Sequence, residues 1–326
     1  MERCDFLPVS AEEMHERGWW WYDALVVGGD AYVDHPSFGT AVISRVLEAE
    51  GLRVAVLAQP DWHDAEAFRA MGRPRLGVFI GAGNLDSMVA HYTAAKRRRS
   101  EDFYSPGKRT GCRPDRAAIV YCNRAREAFG PDMPIILGSL EASLRRFAHY
   151  DYWDDSVRRA ILFDAPADLL VYGMGEAATI EIAHRLKKKQ SVRTMTDIPG
   201  TGYITRDPSV CKFDHITLPS FEDVRDDKRL YAEATRTEYA EHDPIRGRAM
   251  IQPCEGRYLI INPPAMPLDT KELDRVAGLP YTREWHPMYE PLGGVPAIEE
   301  VRFSVIHNRG CFGAVSYTHL TLPTIL

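Results

Sequence analysis

DALVVGGD, residues 23–30, is a short apolar run that ends in two glycines and an aspartate. Its apolar residues are consecutive rather than alternating, which is typical of a strand buried on both faces of a parallel sheet. A strand of this kind needs helices on both sides of the sheet to keep it from water. The stretch therefore predicts an α/β fold.

The same pattern continues toward the carboxyl terminus. Further apolar runs predict strands at residues 52–59, 76–83, 133–139 and 167–176. Helical patterns lie around them, at residues 35–51, 64–72, 84–99, 113–130 and 177–189. Strands that alternate with helices form right-handed βαβ units. We therefore expect residues 20–190 to form an α/β domain with a doubly wound, mostly parallel sheet of flavodoxin-like topology.

The flanking segments have a different character. Residues 1–19 predict an amino-terminal helix and extension. Residues 191–300 combine a turn-rich strand or hairpin in DIPGTGYITR, a polar helix near 221–241, a short strand in RYLIIN and several prolines. We therefore expect a connector that wraps over the surface. Residues 301–314 begin like one further strand. Residues 315–326 contain no Asp, Glu, Lys or Arg.

Composition excludes several classes of function. The chain is 45% hydrophobic and 26% charged, with a formal net charge of −6, which is ordinary for a soluble globular protein and gives no case for nucleic-acid binding. The sequence has neither a long apolar run nor a signal peptide, so we expect no membrane association and a cytoplasmic location. Its 6 cysteines are scattered and include no C-x-x-C pair, which argues against a disulfide framework.

Glycines follow several of the predicted strands, at the edge where doubly wound folds bind ligands. Gly138 and Gly175 are candidate cofactor-binding residues, because glycine lets the backbone approach a ligand closely. Glu176 follows directly, as a candidate ligand contact or base. Each glycine could instead serve a tight turn, and Glu176 could instead favour the start of its helix.

Asp34 and His35 adjoin the helix that we expect to start near Pro36. A helix amino terminus offers free N–H groups to an anion, so both residues are candidate cofactor contacts. The alternative is that Asp34 caps the helix and His35 forms a loop hydrogen bond. The glycine spacing is not that of a dinucleotide fingerprint.

Residues 138–159 are rich in arginine, carboxylates and aromatic side chains. Arg145 and Arg146 could hold an anion beside a wall of Tyr150, Tyr152 and Trp153. The alternative is a helix that docks through its aromatic side chains, with Arg–Asp pairs on its rim.

Several long motifs closely resemble YgiQ-type radical SAM proteins, and together they extend to about Ala314. They are GDAYVDHPSFG, AQPDWHD, AGNLDSMVAHYTAAKRRR, ILGSLEASLRRFAHYDYWDDSVRR, LLVYGMGE, IPGTGY and VRFSVIHNRGCFG. The resemblance implies an amino-terminal domain of cobalamin-binding-like topology followed by a radical SAM barrel. It also implies a 4Fe-4S cluster, S-adenosylmethionine and a reductant such as flavodoxin or ferredoxin. The substrate of the family is unknown.

Cys311 matches the first cysteine of the C-x-x-x-C-x-x-C cluster motif of that family. The next two positions of the motif hold Val315 and Thr318, and neither supplies a thiolate. A barrel also needs on the order of 200 residues beyond the first strand. We therefore expect an inactive fragment, truncated just after its first cluster ligand and ending in a non-native tail over residues 315–326. The alternative is a natural variant that lost the barrel.

Cobalamin is a further cofactor that the cobalamin-binding-like topology brings into question, and the loop spacing argues against it. Related corrin-binding domains carry D-x-H-x-x-G, whereas this chain has Asp34 directly followed by His35. Two rival functions stay open: a stand-alone corrin- or nucleotide-binding α/β module, and a degenerate structural lid for the barrel.

Overall fold

A nine-stranded sheet forms the centre of the computed structural model, which describes residues 5–304. The strands are β1 (Ala24–Gly28), β2 (Val54–Ala58), β3 (Gly77–Ile80), β4 (Ile135–Leu137), β5 (His149–Asp151), β6 (Ser156–Arg158), β7 (Leu169–Val171), β8 (Thr201–Thr205), β9 (His215–Thr217), β10 (Ala249–Cys254) and β11 (Arg257–Ile261). Their order in the large sheet is β2-β1-β3-β4-β7-β8-β11-β10-β9, while β5 and β6 form a separate antiparallel hairpin.

The first five neighbours in this order, from β2 to β7, are all parallel. Counted among themselves they have the order 2-1-3-4-5, which is that of flavodoxin-like doubly wound folds. Every residue of β1 is buried, as the consecutive apolar run predicted. The α/β class with a mostly parallel sheet is confirmed.

Helices cover both faces of this parallel part. The helices of the described residues are α1 (Ala11–Glu16), α2 (Gly39–Ala49), α3 (Glu66–Arg69), α4 (Ser87–His91), α5 (Ala117–Phe129), α6 (Ser139–Leu144), α7 (Glu176–Lys187), α8 (Phe221–Asp226), α9 (Lys228–Ala240), α10 (Thr270–Ala277) and α11 (Ile298–Val301). Helices α2 and α7 contact each other and share one apolar core with Val26 and Phe79 of the sheet. Helices α3 and α5 contact each other within the second core, on the opposite face.

Local structure explains why three of the predicted helices differ from their expected bounds. The first begins at Gly39 rather than near Pro36, because Phe38 is extended and its side chain is buried. The helix predicted over residues 84–99 ends at His91, since Tyr92 turns to an extended conformation. The polar helix near 221–241 is divided at Asp227, whose extended backbone ends α8 and whose carboxylate caps α9.

The segment that we expected to be a surface connector adds four strands to the sheet. Strand β8 pairs with β7, and β11, β10 and β9 continue the sheet beyond it. The turn between β10 and β11 consists of Glu255 and Gly256, both with positive φ, which is the geometry of a two-residue hairpin. The sheet is therefore continuous across the predicted boundary at residue 190.

The further strand predicted from residue 301 is wrong over its first residues. Helix α11 ends at Val301, and residues 302–304 form a turn and an irregular end. The remainder of that prediction, with Cys311 and residues 315–326, lies outside the described residues. Within residues 5–304, none of the helices combines the length and the apolarity that crossing a bilayer requires.

Candidate functional site

A cavity of about 530 Å³ lies at the carboxyl ends of the parallel strands, between the first turns of α2 and α7. Side chains of four strands and of α2 form its apolar walls: Val26, Phe79, Ile136, Val171, Val42 and Ile43. Its position is the edge at which doubly wound folds bind ligands. A size of a few hundred Å³ with mostly apolar walls is typical of sites for small organic molecules.

Glycines bring the elements around the cavity into close contact. A Cβ atom on Gly29 would lie 1.9 Å from the carbonyl oxygen of Ala82, so the ends of β1 and β3 can approach only with glycine there. A Cβ atom on Gly28 would lie 2.7 Å from Oγ1 of Thr40, on the first turn of α2. Gly138 and Gly175, which the sequence analysis singled out, line the cavity themselves.

Polar side chains cluster at the rim of the cavity. They are Ser37, Thr40, Ser139, Thr179 and Glu176. Glu176 is buried and begins α7, where the helix dipole favours a carboxylate. Lys, Arg and His are absent from the described residues that line the cavity.

Asn84 ties together the loops around this rim. Its side-chain oxygen accepts from the backbone N–H of Gly39 at 3.2 Å, and its side-chain nitrogen donates to the carbonyl oxygen of Ser37 at 3.0 Å. Its own backbone N–H donates to Asp30 at 2.6 Å. The sequence analysis missed Asn84, although it follows a glycine-rich strand end on the predicted ligand edge.

A buried charge network supports the same loops from behind. The guanidinium of Arg113 donates to Asp30 and to Asp102, each at 2.6 Å, and its side chain has no exposed surface. Burial raises the pKa of Asp30, while the charge of Arg113 acts in the opposite direction. This network holds the residues after β1 against the segment that follows α4.

A family model described as "Radical SAM N-terminal" matches residues 6–304. The chain belongs to the Radical SAM N-terminal family. A UPF0313 protein of Clostridium botulinum (strain 657 / Type Ba4) is 53% identical over 321 residues, which cover 98% of this chain and 50% of the relative. A UPF0313 protein of Clostridium perfringens (strain SM101 / Type A) is 51% identical, with 98% of this chain and 48% of the relative covered. The chain thus spans about half the length of the curated relatives that it matches.

A solved structure is also similar to part of this Radical SAM N-terminal chain. It is the radical S-adenosylmethionine methyltransferase TsrM from Kitasatospora setae, with cobalamin and a 4Fe-4S cluster bound. The similarity covers 55% of this chain and 26% of that chain, at 18% identity and a TM-score of 0.35.

The cavity brings together three of the residues that the sequence predicted for cofactor binding. Gly138, Gly175 and Glu176 all line it, at the ends of β4 and β7 and at the start of α7. Their role in binding stays a prediction. In the loop after β1, the neighbouring Pro36 and Ser37 line the cavity, and Asp34 and His35 do not.

Asp34 has structural partners instead. Its carboxylate accepts from Nε of Arg45 at 3.1 Å and from the backbone N–H of Thr282 at 3.0 Å. Because α2 begins at Gly39, Asp34 is not the cap of that helix either. It joins α2 to a segment that lies far along the chain.

His35 is fully buried in the same loop. Its Nδ1 accepts from the backbone N–H of Ser37 at 3.1 Å, and its Nε2 has no hydrogen-bond partner among residues 5–304. Burial, aided by the charge of Arg283, lowers the pKa of His35 to about 4, so the ring is neutral. Since no part of the ring is exposed, it does not present a nitrogen to a corrin in this conformation.

Arg145 and Arg146 have separate environments. Arg145 forms a buried ion pair with Asp86, the cap of α4. Arg146 donates to the carbonyl oxygen of Ser143 at 2.6 Å, and its Cζ lies 5.0 Å from the ring centroid of Tyr172. The structure gives Arg145 a partner within the protein, and the anion site proposed for the two arginines stays a prediction.

The aromatic part of this segment is a hairpin rather than a helix, because β5 and β6 pair from His149 to Arg158. Tyr152 donates to the carbonyl oxygen of Ala94 at 2.6 Å, and Trp153 lies against Tyr92. Arg–Asp pairs on the rim of this segment were expected from the sequence, and one joins Arg158 to Asp154 at 3.0 Å. The aromatic side chains therefore hold the loop that follows α4.

The described residues do not fit an iron–sulfur cluster. Within residues 5–304, no group of three or more Cys, His, Asp or Glu side chains could hold a metal ion. Cys122 and Cys254 are buried in different cores, and burial raises the pKa of the Cys254 thiol to about 12. Such thiols are poor thiolate ligands. Cys311, the predicted first cluster ligand, lies outside the described residues.

Proposed function

We propose that this chain is the amino-terminal half of a radical S-adenosylmethionine enzyme. The longer protein would bind a 4Fe-4S cluster and S-adenosylmethionine, with Cys311 as its first cluster ligand. The observation that carries this proposal is the match to the Radical SAM N-terminal model through residue 304, which lies seven residues before Cys311 in the sequence. Cysteine thiolates are the usual ligands of such clusters.

The 326-residue chain would be inactive alone. Of the three positions in the expected cysteine motif, only Cys311 carries a thiol, since Val315 and Thr318 occupy the others. The residues described here would contribute a binding domain rather than the reacting centre. A flavodoxin or ferredoxin would supply electrons to the longer protein, and its substrate is unidentified.

We also propose that the protein is cytoplasmic. Free cysteines at 112, 122, 211 and 254 support it, because thiols in an oxidising compartment commonly form disulfides.

The test is cluster assembly in two matched proteins. One is the 326-residue chain, and the other is a chimera in which the residues after Ala314 are replaced by the carboxyl-terminal half of the Clostridium botulinum relative. After anaerobic reconstitution, the chimera should contain stoichiometric iron and sulfide, and the chain alone should not. A Cys311→Ala chimera should lose the cluster while its unfolding temperature stays close to that of the parent.

The Clostridium botulinum protein itself is the control for chimera folding. The cysteine that aligns with Cys311 should be required for its cluster. A stable cluster in the 326-residue chain, or in either Cys→Ala protein, would contradict the assignment of Cys311.

The cavity favours a second function in the same chain. A binding module for a nucleotide or a corrin would need a concave site on this domain alone, and the cavity at the ends of β1, β3, β4 and β7 is such a site. Because His35 is buried, the structure does not favour a corrin held through that residue. A purely structural lid would leave the cavity without a ligand, so a binding measurement separates these rivals.

A further inference from the structure

The start of α2 opens into the cavity. Pro36 and Ser37 before the helix, and Gly39 and Thr40 in its first turn, all line it. The cap residue Phe38 offers no side-chain acceptor to the free N–H groups of the first turn. Because α2 has 11 residues, the summed dipoles of its peptide units give this end a partial positive charge. The cavity is therefore electropositive at this end without a cationic side chain in its described lining.

Three hydrogen-bond donors at the start of α2 have no acceptor within residues 5–304. The backbone N–H of Gly39 donates to Asn84, but that of Thr40 has no partner in this part of the chain. The hydroxyls of Ser37 and Thr40 are unpaired there as well. All three donors belong to residues that line the cavity, so a bound group with several acceptor oxygens can pair with them.

A hydroxyl on the opposite side of the cavity points to a ligand independently. Thr179, in the first turn of α7, lines the cavity and is only 2% exposed. Its hydroxyl has no hydrogen-bond partner among residues 5–304. Its Oγ1 would lie 3.9 Å from a Cβ atom on Gly175, so it is directed toward the start of α7. Since buried hydroxyls are normally paired, an unpaired one in a cavity wall is available to a ligand.

The carboxylate of Glu176 does not exclude an anion from the cavity. Glu176 begins α7, where the helix dipole stabilises it, and it has an interaction of its own within the chain. Its charge makes the α7 side less favourable for an anion than the start of α2, where the described lining contains no carboxylate. The anionic group of a ligand should therefore lie at α2, and an uncharged part should extend toward α7.

Apolar walls form the rest of the cavity. Val26 and Phe79 of the sheet and Val42 and Ile43 of α2 are among the residues that line it. At about 530 Å³ the cavity is larger than an inorganic phosphate ion needs and is within the range for small organic ligands. An apolar part of the ligand gains free energy by leaving water for these walls. The cavity thus combines an anion subsite with an apolar subsite.

We propose that this cavity binds a small organic phosphate, with its phosphate group at the start of α2 and its apolar part against the walls. The phosphate accepts from the backbone N–H of Thr40 and from the hydroxyls of Ser37 and Thr40. The hydroxyl of Thr179 donates to the part of the ligand that extends toward α7. This ligand belongs to the binding module proposed above as a second function and rests on it, whereas the iron–sulfur cluster is not involved.

Inorganic phosphate is the probe for the anion subsite. Titration into the ¹⁵N-labelled 326-residue chain should shift the amide resonance of Thr40 along a saturating curve, with a Kd on the order of 10 mM. Potassium chloride at the same ionic strength is the control and should leave this resonance in place. A Thr40 amide that responds equally to both salts, or to neither, would overturn the proposal.

Matched pairs of compounds test the apolar subsite by calorimetry. They are adenosine 5′-monophosphate with adenosine, flavin mononucleotide with riboflavin, and phenyl phosphate with phenol. At least one phosphate should bind about tenfold more tightly than inorganic phosphate and than its phosphate-free counterpart. Equal binding of the counterpart would support a binding module but overturn the phosphate assignment. If none of the six binds, the proposal fails, and titration with cobalamin then decides whether the module binds a corrin instead.

A charge substitution locates the phosphate at α2. Ser37→Asp places a carboxylate at the start of the helix, where the dipole favours it, so the fold should be kept. Binding of inorganic phosphate should nevertheless weaken by more than about tenfold. Thr270→Asp adds the same charge in the first turn of α10, outside the cavity lining, and should leave binding unchanged. Equal losses in the two variants would reflect net charge alone and overturn the proposal.

Thr179→Val tests the contact from α7. It removes the hydroxyl with little change of shape and should weaken binding of the tightest organic phosphate several-fold. Because this hydroxyl has no partner among residues 5–304, its removal should leave the unfolding temperature of the free chain unchanged. An unchanged affinity, or a lower unfolding temperature of the free chain, would contradict the role of Thr179 as a ligand contact.

Discussion

The carboxylate of Asp34 and the guanidinium of Arg45 form a two-point ion pair that is almost completely buried, with side-chain exposures of 0% and 2%. The same carboxylate accepts from the backbone N–H of Thr282. One short side chain thus connects the loop after β1, helix α2 and a segment near the end of the described chain. This explains why Asp34, which looked like a ligand contact in the sequence, is unavailable to a ligand.

Breaking this pair should destabilise the fold strongly. Asp34→Asn leaves the Arg45 guanidinium buried with one remaining carboxylate partner, Glu48, and should lower the free energy of unfolding by about 3 kcal/mol. Urea unfolding of the purified chain measures this loss. Arg45→Met combined with Asp34→Asn should cost less than the two single changes added together, because no unpaired charge remains. A loss of unfolding free energy in the double variant equal to the sum of the two single losses would contradict this role of the ion pair.

His35 should make the fold sensitive to mild acid. Its pKa is lowered to about 4 in the folded protein from an ordinary value of 6.5, so between these values the unfolded state binds the proton and the folded state does not. Stability from this residue is therefore present above about pH 6.5 and decreases as the pH falls toward 4, by at most about 1.4 kcal/mol per pH unit.

His35→Asn checks this assignment. Asparagine can keep an acceptor for the backbone N–H of Ser37 but does not titrate, so the loss of unfolding free energy between pH 7 and pH 5 should become smaller. If the unfolding free energy of His35→Asn depends on pH as that of the wild type does, other groups cause the acid sensitivity.

Gly29 should be intolerant of any side chain. A Cβ atom there would overlap the carbonyl oxygen of Ala82 at 1.9 Å, which would separate the carboxyl ends of β1 and β3. Gly29→Ala should therefore lower the unfolding temperature sharply or prevent folding. Gly39→Ala is the matched control, because a Cβ atom at the start of α2 meets nothing within 4 Å. A Gly29→Ala protein as stable as Gly39→Ala would show that the two strand ends are not held as described.

Asn84 should matter for the rim of the cavity. Asn84→Ala removes the hydrogen bonds to Ser37 and Gly39, which should cost about 1–3 kcal/mol of unfolding free energy. It should also accelerate amide hydrogen exchange at Gly39. Asn123→Ala, on the exposed side of α5, removes one local hydrogen bond and should change neither. Equal rates of amide hydrogen exchange at Gly39 in Asn84→Ala and Asn123→Ala would contradict the role of Asn84.

The sequence was sufficient for the parallel part of the fold. Strands such as β1 are fully buried, and a run of consecutive apolar residues is a strong local signal for that environment. Short strands were expected where β8 and β11 lie, but as parts of a surface connector, because this segment is rich in turns. Strands β9 and β10 were missed, although the Glu255-Gly256 turn between β10 and β11 was a usable hairpin signal.

The candidate site was predicted only in part, for a physical reason. Gly138, Gly175 and Glu176 follow directly from strand ends, so local sequence places them at the ligand edge. The partners of Asp34 lie on a helix and on a segment more than two hundred residues away, and no local pattern shows them. Distant contacts of this kind determine whether a residue such as Asp34 contacts a ligand or stabilises the fold.

The most direct test of the central claim is reductive cleavage of S-adenosylmethionine. The chimera with the carboxyl-terminal half of the Clostridium botulinum relative is reduced anaerobically, mixed with S-adenosylmethionine and assayed for 5′-deoxyadenosine. The account predicts product from the chimera and from the Clostridium botulinum protein, and none from the Cys311→Ala chimera or from the 326-residue chain. Product from either of the last two, or none from the two folded full-length proteins, would contradict it.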